Sequence, residues 1–226
     1  QGEKALPIPT LHNEPGLAFL LSGAALCNDA KPQFDHAESP DDILGDPTEV
    51  ALVVASNRQG MHKSTLDRIF PRVAEDPFDS DRKRMTTLHR RPDPATVTTN
   101  GQIGELLNDL RRAGDSNYIA FSKGAVDGML DISSHAWLGE GVVELDDTLR
   151  QRILDANADM ARNGLRVLGV GYHLFDEIPP EVAAGKVNAL EDNLVIVGMI
   201  GMIDPARPEV RAAVQTCKDA GIRVKM

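Results

Sequence analysis

The chain has 226 residues, with 24 Lys plus Arg against 34 Asp plus Glu, a formal net charge of −10. That balance argues against broad nucleic-acid binding and against a polybasic membrane-surface module, since both need clustered positive charge. Aromatics make up only 4% of the residues, so the core has to be aliphatic and Ala-rich.

Residues 1–15, with Pro7, Pro9 and Pro15, read as an irregular lead-in. From Gly16 to Cys27, Leu17, Leu20, Leu21, Ala24 and Ala25 recur at helical spacing. Residues 28–45 carry no period and read as a loop. Asp46-Pro47-Thr48-Glu49 is a helix start: Asp46 caps, Pro47 suits the first position, and Glu49 can reach back as in a capping box. This helix is expected to reach about Arg58, and a shorter one to run from Ser64 to Ile69. Pro71 and Pro77 bracket an extended piece, and Arg84 to His89 alternates as a strand. Residues 90–116 read as polar and irregular, with one short amphipathic patch at Ile103, Leu106, Leu107 and Leu110.

Asn117 to Ser122 is expected as a strand, followed by a helix from about Gly124 to Ile132. Asp146 to Asn163 is the clearest helix, with Leu149, Ile153, Ala156 and Met160 on one stripe and Asn163-Gly164 as the stop. Leu165 to Tyr172 and the apolar Leu194 to Ile203 are strands, the second expected to be buried. Pro205 to Ala220 is a helix, and residues 222–226 start another strand. The body is α+β, a mixed sheet with helices packed on it, and the tail looks like the start of a parallel α/β unit. The expected division is residues 1–203 and residues 204–226. A start at Gln1 and an end within a strand read as a fragment of a longer chain. The longest apolar stretch is about half the ~20 residues a membrane helix needs. Cys27 and Cys217 suggest neither a disulfide framework nor a zinc site, and the six His form no metal-binding spacing.

Five stretches can carry chemistry. In Phe78 to Thr86 an aromatic precedes Arg82, Lys83 and Arg84. An aromatic face can stack on a nucleobase and a cation can meet phosphate. The alternative is a core Phe78 and a solvated strand start. Lys123-Gly124 puts a cation beside the expected opening of a helix, an anion-binding arrangement or an ordinary strand-to-helix turn. Glu49 is a capping residue or an acceptor for an exocyclic amine. Arg166 opens an otherwise apolar strand, where a charge is usually paired or solvated. Asp204-Pro205-Ala206-Arg207 reads as a capped helix start or a hinge.

Taken in order, six segments resemble the cytoplasmic nucleotide-binding domain of type II P-type ATPases, calcium pumps in particular. Leu26-Cys27-Asn28 resembles the family's helix end, GDPTEVAL (residues 45–52) its GxxTExAL motif, and FDSDRKRMT (residues 78–86) its FxSxRKxMS motif. Lys123-Gly124-Ala125 is similar to its KGA motif and Leu165 to Leu168 to its LRxL strand. Residues 198–224 resemble its DPPR hinge and following helix.

The resemblance implies a largely antiparallel twisted sheet flanked by helices. It implies that adenine stacks on Phe78 and meets Glu49, that Lys83, Lys123 and Gly124 line the pocket, and that Arg166 contacts phosphate. Arg207 is implied in the hinge and in nucleotide handling. ATP is the implied ligand, with Mg²⁺ in the complete pump. The implied partners are the pump's phosphorylation and actuator domains, and the implied setting is the cytoplasmic side of an integral membrane protein. Residues 204–226 would belong to the phosphorylation domain. Ser80 stands where reticulum-type pumps carry arginine, the hinge reads DPAR, and residues 92–116 look like a lineage-specific loop. DKTGTLT and TGD are absent, so this chain is expected to bind ATP without hydrolysing it. A free-standing nucleotide-binding module is the alternative.

Overall fold

The computed structural model describes residues 16–93, 102–139, 141–184, 187–203 and 208–225. Helix α1 (Leu17–Leu26) is apolar on nearly every side, and it is buried accordingly. The Phe19 ring meets Phe121, Tyr172 and Trp137 at centroid distances of 5.6, 4.7 and 5.5 Å. Beside α1 lie α2 (Pro47–Arg58), α3 (Lys63–Ile69) and α4 (Gln102–Ala113). The Asp46 carboxylate caps α2 by accepting from the Thr48 amide at 2.8 Å, as the sequence leads one to expect.

Between α1 and α2 sits a small hairpin of β1 (Lys31–Pro32) and β2 (Ile43–Leu44), too short for sequence alternation to reveal. The main sheet has seven strands. They run in the order β3 (Arg72–Asp79), β4 (Arg84–Arg90), β5 (Tyr118–Gly124), β8 (Arg166–Phe175), β9 (Leu194–Met202), β6 (Ser133–Leu138) and β7 (Gly141–Glu144). Among the described residues only the β6–β9 pair is parallel. This is the α+β, largely antiparallel sheet that was expected. Its opposite face carries α5 (Val126–Asp131), α6 (Asp147–Arg162) and α7 (Pro180–Ala183).

Four expectations are corrected. The stretch read as irregular over residues 90–116 contains the full helix α4. Its Leu106, Leu107 and Leu110 are buried against α1, so tertiary packing extends the short amphipathic patch into three turns. Gly124 does not open a helix; it ends β5, paired with Arg84 on one side and Gly169 on the other. The β9 strand is buried only at Leu194 and Ile196. The partner β6 stops pairing at Ile196, leaving β8 as its only paired neighbour beyond that point among the described residues. Finally, residues 222–225 form no strand. Helix α8 (Pro208–Asp219) stands before them with Val210 40% exposed. The expected hinge at Asp204 and Arg207 lies outside the described residues.

Candidate functional site

Three adjacent strands set out the floor of the site. Met85 on β4 lies opposite Lys123 on β5, which lies opposite Val170 on β8. Side chains directly opposite in antiparallel pairs share a face, and so do residues two apart along a strand. Met85, Lys123, Leu168 and Arg166 therefore point to the face that carries α1 and α2. The start of α2 and the turn between β3 and β4 close the sides. The result is a cavity of about 330 Å³ that brings together Glu49, Phe78, Lys83, Lys123, Gly124 and Arg166 from four separated stretches. Arg207 lies outside the described residues. A larger cleft of about 890 Å³, among residues 90–93, 115–118 and 176–178, contains none of these residues.

The cavity has a polar floor and an aromatic rim. Lys123 Nζ donates to Glu49 Oε1 at 2.6 Å, with the two side chains 8% and 18% exposed. The other oxygen, Oε2, accepts from the Asp29 amide at 3.2 Å. The capping-box role of Glu49 is thereby corrected: its carboxylate turns towards the sheet and not back to Asp46. Asn28 fixes this geometry by donating to the backbone carbonyl of Glu49 at 3.0 Å and to that of Ala24 at 3.3 Å. The Leu-Cys-Asn helix end thus ties the end of α1 to the start of α2. Cys27 lies beneath the floor, its Sγ donating to the Met85 carbonyl at 3.3 Å, and burial pushes its thiol pKa up.

Phe78 is 64% exposed, which removes the core alternative for it. An aromatic ring left largely in water at the mouth of a cavity has stacking area to offer. Lys83 and Arg166 also reach the cavity, and neither has an ion-pair partner among the described residues. Burial works to raise the Asp46 carboxyl pKa. Hydrogen bonds from Thr48 and the Glu49 amide, with the Arg166 charge nearby, hold it below the ordinary value.

The basic run behaves differently from its sequence reading. Only Lys83 faces the cavity. Arg82 pairs with Asp76 and Glu191, each at 2.7 Å, and Arg84 with Glu191 at 2.7 Å. Gly124 acts through its backbone. A Cβ there would come within 2.5 Å of Arg84 Cβ and 2.6 Å of the Lys83 carbonyl oxygen, so only glycine lets β5 meet the start of β4.

Sequence reasoning did not count Asp29, Asp46, Thr48, Met85 and Leu168 as walls of the site. The alternation along β8 that puts Leu168 two residues after Arg166 is the signal that finds one of them. The arrangement suits a ligand with a flat ring for Phe78, a hydrogen-bond donor for Glu49, apolar area for Met85 and Leu168, and negative charge for Lys83 and Arg166. No helix of the described residues is long and apolar enough to cross a membrane.

Comparison with known proteins gives the same family as the motifs. Residues 17–209 match the model of the P-type ATPase, cytoplasmic domain N. The chain is 34% identical over 208 residues to calcium-transporting ATPase 1 of Bacillus cereus, covering 92% of this chain and 20% of that protein. It is 35% identical over 213 residues to cation-transporting ATPase pma1 of Synechocystis, covering 94% and 20%. It is 30% identical over 233 residues to the sodium/potassium-transporting ATPase subunit alpha-1 of Oreochromis mossambicus, covering 96% and 21%. The chain spans about a fifth of the length of these relatives. A model matched over most of the chain, on a fold that gathers the same motifs round one cavity, places this chain in the P-type ATPase cytoplasmic domain N family.

Proposed function

We propose that the chain binds ATP in the 330 Å³ cavity and presents its γ-phosphate to an aspartate in another domain of a cation-transporting pump. The observation that carries this reading is the convergence on one cavity of an acidic chain of an exposed aromatic, a held carboxylate and two cations with no ion-pair partner among the described residues. Adenine stacks on Phe78 and donates its amino hydrogen to Glu49, which Lys123 and the Asp29 amide keep in place. Lys83 and Arg166 meet the phosphates. Holding the nucleotide in one orientation is this domain's contribution to in-line phosphoryl transfer.

Among the described residues no group of three or more His, Cys, Asp or Glu side chains is arranged to hold a metal ion. Mg²⁺ would supply charge neutralisation on the phosphates in the complete pump, with ligands from outside this pocket. Residues 204–226 are proposed to belong to the phosphorylation domain, a boundary supported by the exposed apolar side of α8. Calcium as the transported ion is supported by the names of relatives such as calcium-transporting ATPase 1 of Bacillus cereus.

Titration calorimetry with ATP tests the reading. Weak saturable binding with little Mg²⁺ dependence is expected of these 226 residues, which span about a fifth of the length of the relatives they match. Unchanged ATP affinity in folded Phe78→Ala would overturn the stacking assignment.

A further inference from the structure

We propose that Glu191 is a positioning residue for this pocket, holding the β3–β4 turn so that Phe78 and Lys83 keep their places; the inference rests on the nucleotide-site reading above. Glu191 lies on the opposite face of the sheet from the cavity, just before β9, with its side chain 2% exposed. Both of its oxygens are engaged. Oε2 pairs with Arg82 Nη1 and Arg84 Nε, each at 2.7 Å, and Oε1 accepts from Thr86 Oγ1 at 2.9 Å. Arg82 also grips the other strand, donating to both Asp76 oxygens at 2.7 and 2.8 Å and to the Pro77 carbonyl at 2.9 Å. One buried carboxylate thus fixes residues on both sides of Phe78 and Lys83.

The hairpin needs this restraint because its own ladder is irregular there. The β3–β4 register shifts between Asp76 and Asp79, so backbone pairing does not fix residues 77 and 78. Lys83 sits at φ 53, a left-handed conformation that a non-glycine residue keeps only where its surroundings impose it. Its amide donates to the Asp79 carbonyl at 2.7 Å, and its carbonyl accepts from the Ala125 amide at 3.1 Å. The arginine–carboxylate cluster on one face therefore sets what the turn presents on the other.

The test is a double-variant cycle on ATP affinity in the 226-residue chain, with thermal unfolding measured alongside. Glu191→Gln is expected to weaken ATP binding about tenfold, a coupling typical of residues in one network. In a Phe78→Ala background the same substitution is expected to have a clearly smaller effect, because only the placement of Lys83 is left to lose. A purely structural role would lower the melting temperature while leaving affinity unchanged, or would lower affinity equally in both backgrounds. Either result overturns the inference. Should Glu191→Gln fail to fold, Arg82→Lys removes the bridging fork at a partly exposed site, and the same non-additivity with Phe78→Ala is expected. If Phe78→Ala itself leaves ATP affinity unchanged, the nucleotide-site reading fails. If Phe78→Ala weakens binding and neither Glu191→Gln nor Arg82→Lys does, only this inference fails.

Discussion

Arg82, Lys83 and Arg84 are consecutive cations, yet they belong to two regions with opposite electrostatics. On one face of the sheet, Lys83 joins Lys123 and Arg166 around a cavity in which Lys83 and Arg166 have no carboxylate partner among the described residues. On the other, Arg82 and Arg84 are matched against Asp76 and Glu191 in a network that is largely out of water. The turn separates the two groups: Lys83 takes a left-handed conformation and lines the cavity, while Arg84 opens β4 on the face opposite Met85. In the first region Lys83 and Arg166 keep their charge for a ligand, while Lys123 is matched to Glu49. The second consumes its charge internally and leaves none for a ligand. A basic run in an acidic chain is thus not one site, and its net charge does not tell which of its members is free.

Variants that strike one region and spare the other test this division. Glu191→Ala is expected to have the largest effect, a loss of about 3–5 kcal/mol of stability, because two arginines lose a buried acceptor. Urea unfolding measures it, and a loss below about 1 kcal/mol would show that the network is no more than an ordinary surface pair.

Acid provides the next test. His89 lies at the far end of β4, with Nδ1 donating to the Phe70 carbonyl at 2.9 Å and Nε2 accepting from Thr87 at 2.8 Å. Burial pushes its pKa down to about 3, against the Phe70 hydrogen bond that works to raise it. The unfolded chain therefore takes up a proton that the folded chain refuses. Stability is expected to fall as pH drops from about 6.5 towards 3, by up to about 1.4 kcal/mol per pH unit, with no contribution from His89 above that range. His89→Gln is expected to flatten the slope measured by unfolding between pH 6 and pH 4.

Phe78→Ala follows in size, with ATP binding expected to weaken by about 1–3 kcal/mol, the value of one base–aromatic contact. Stability should stay within about 0.5 kcal/mol, since the ring is largely exposed. A clear drop in melting temperature would move Phe78 into the structural region and break the comparison. The smallest effect expected is a gain. Ser80→Arg restores a cation near the rim and should tighten ATP binding by about 0.5–1 kcal/mol at low salt, an advantage that fades as ionic strength rises.

Much of the fold was legible because its signals are local. The Asp46 cap, the stop at Asn163-Gly164 and the alternation of residues 84–89 each depend on neighbours in sequence, and each appears in the structure. Helix α4 was less legible, since its short apolar patch becomes three turns only when α1 covers it. Strands β6 and β7 gave no signal strong enough to read.

The sequence by itself determined the family motifs, the helix caps, the strand periods and the need to gather positive charge locally in a chain of net charge −10. Only the tertiary structure decided that Lys83 faces the cavity while Arg82 and Arg84 face Glu191, a residue more than 100 positions away. It also decided that Glu49 is held by Lys123 and the Asp29 amide, and that Gly124 is a point of close strand approach. Caps and periodicity are set by a few bonds along the backbone. Partner choice among charges depends on which distant segments the folded sheet brings within hydrogen-bonding distance.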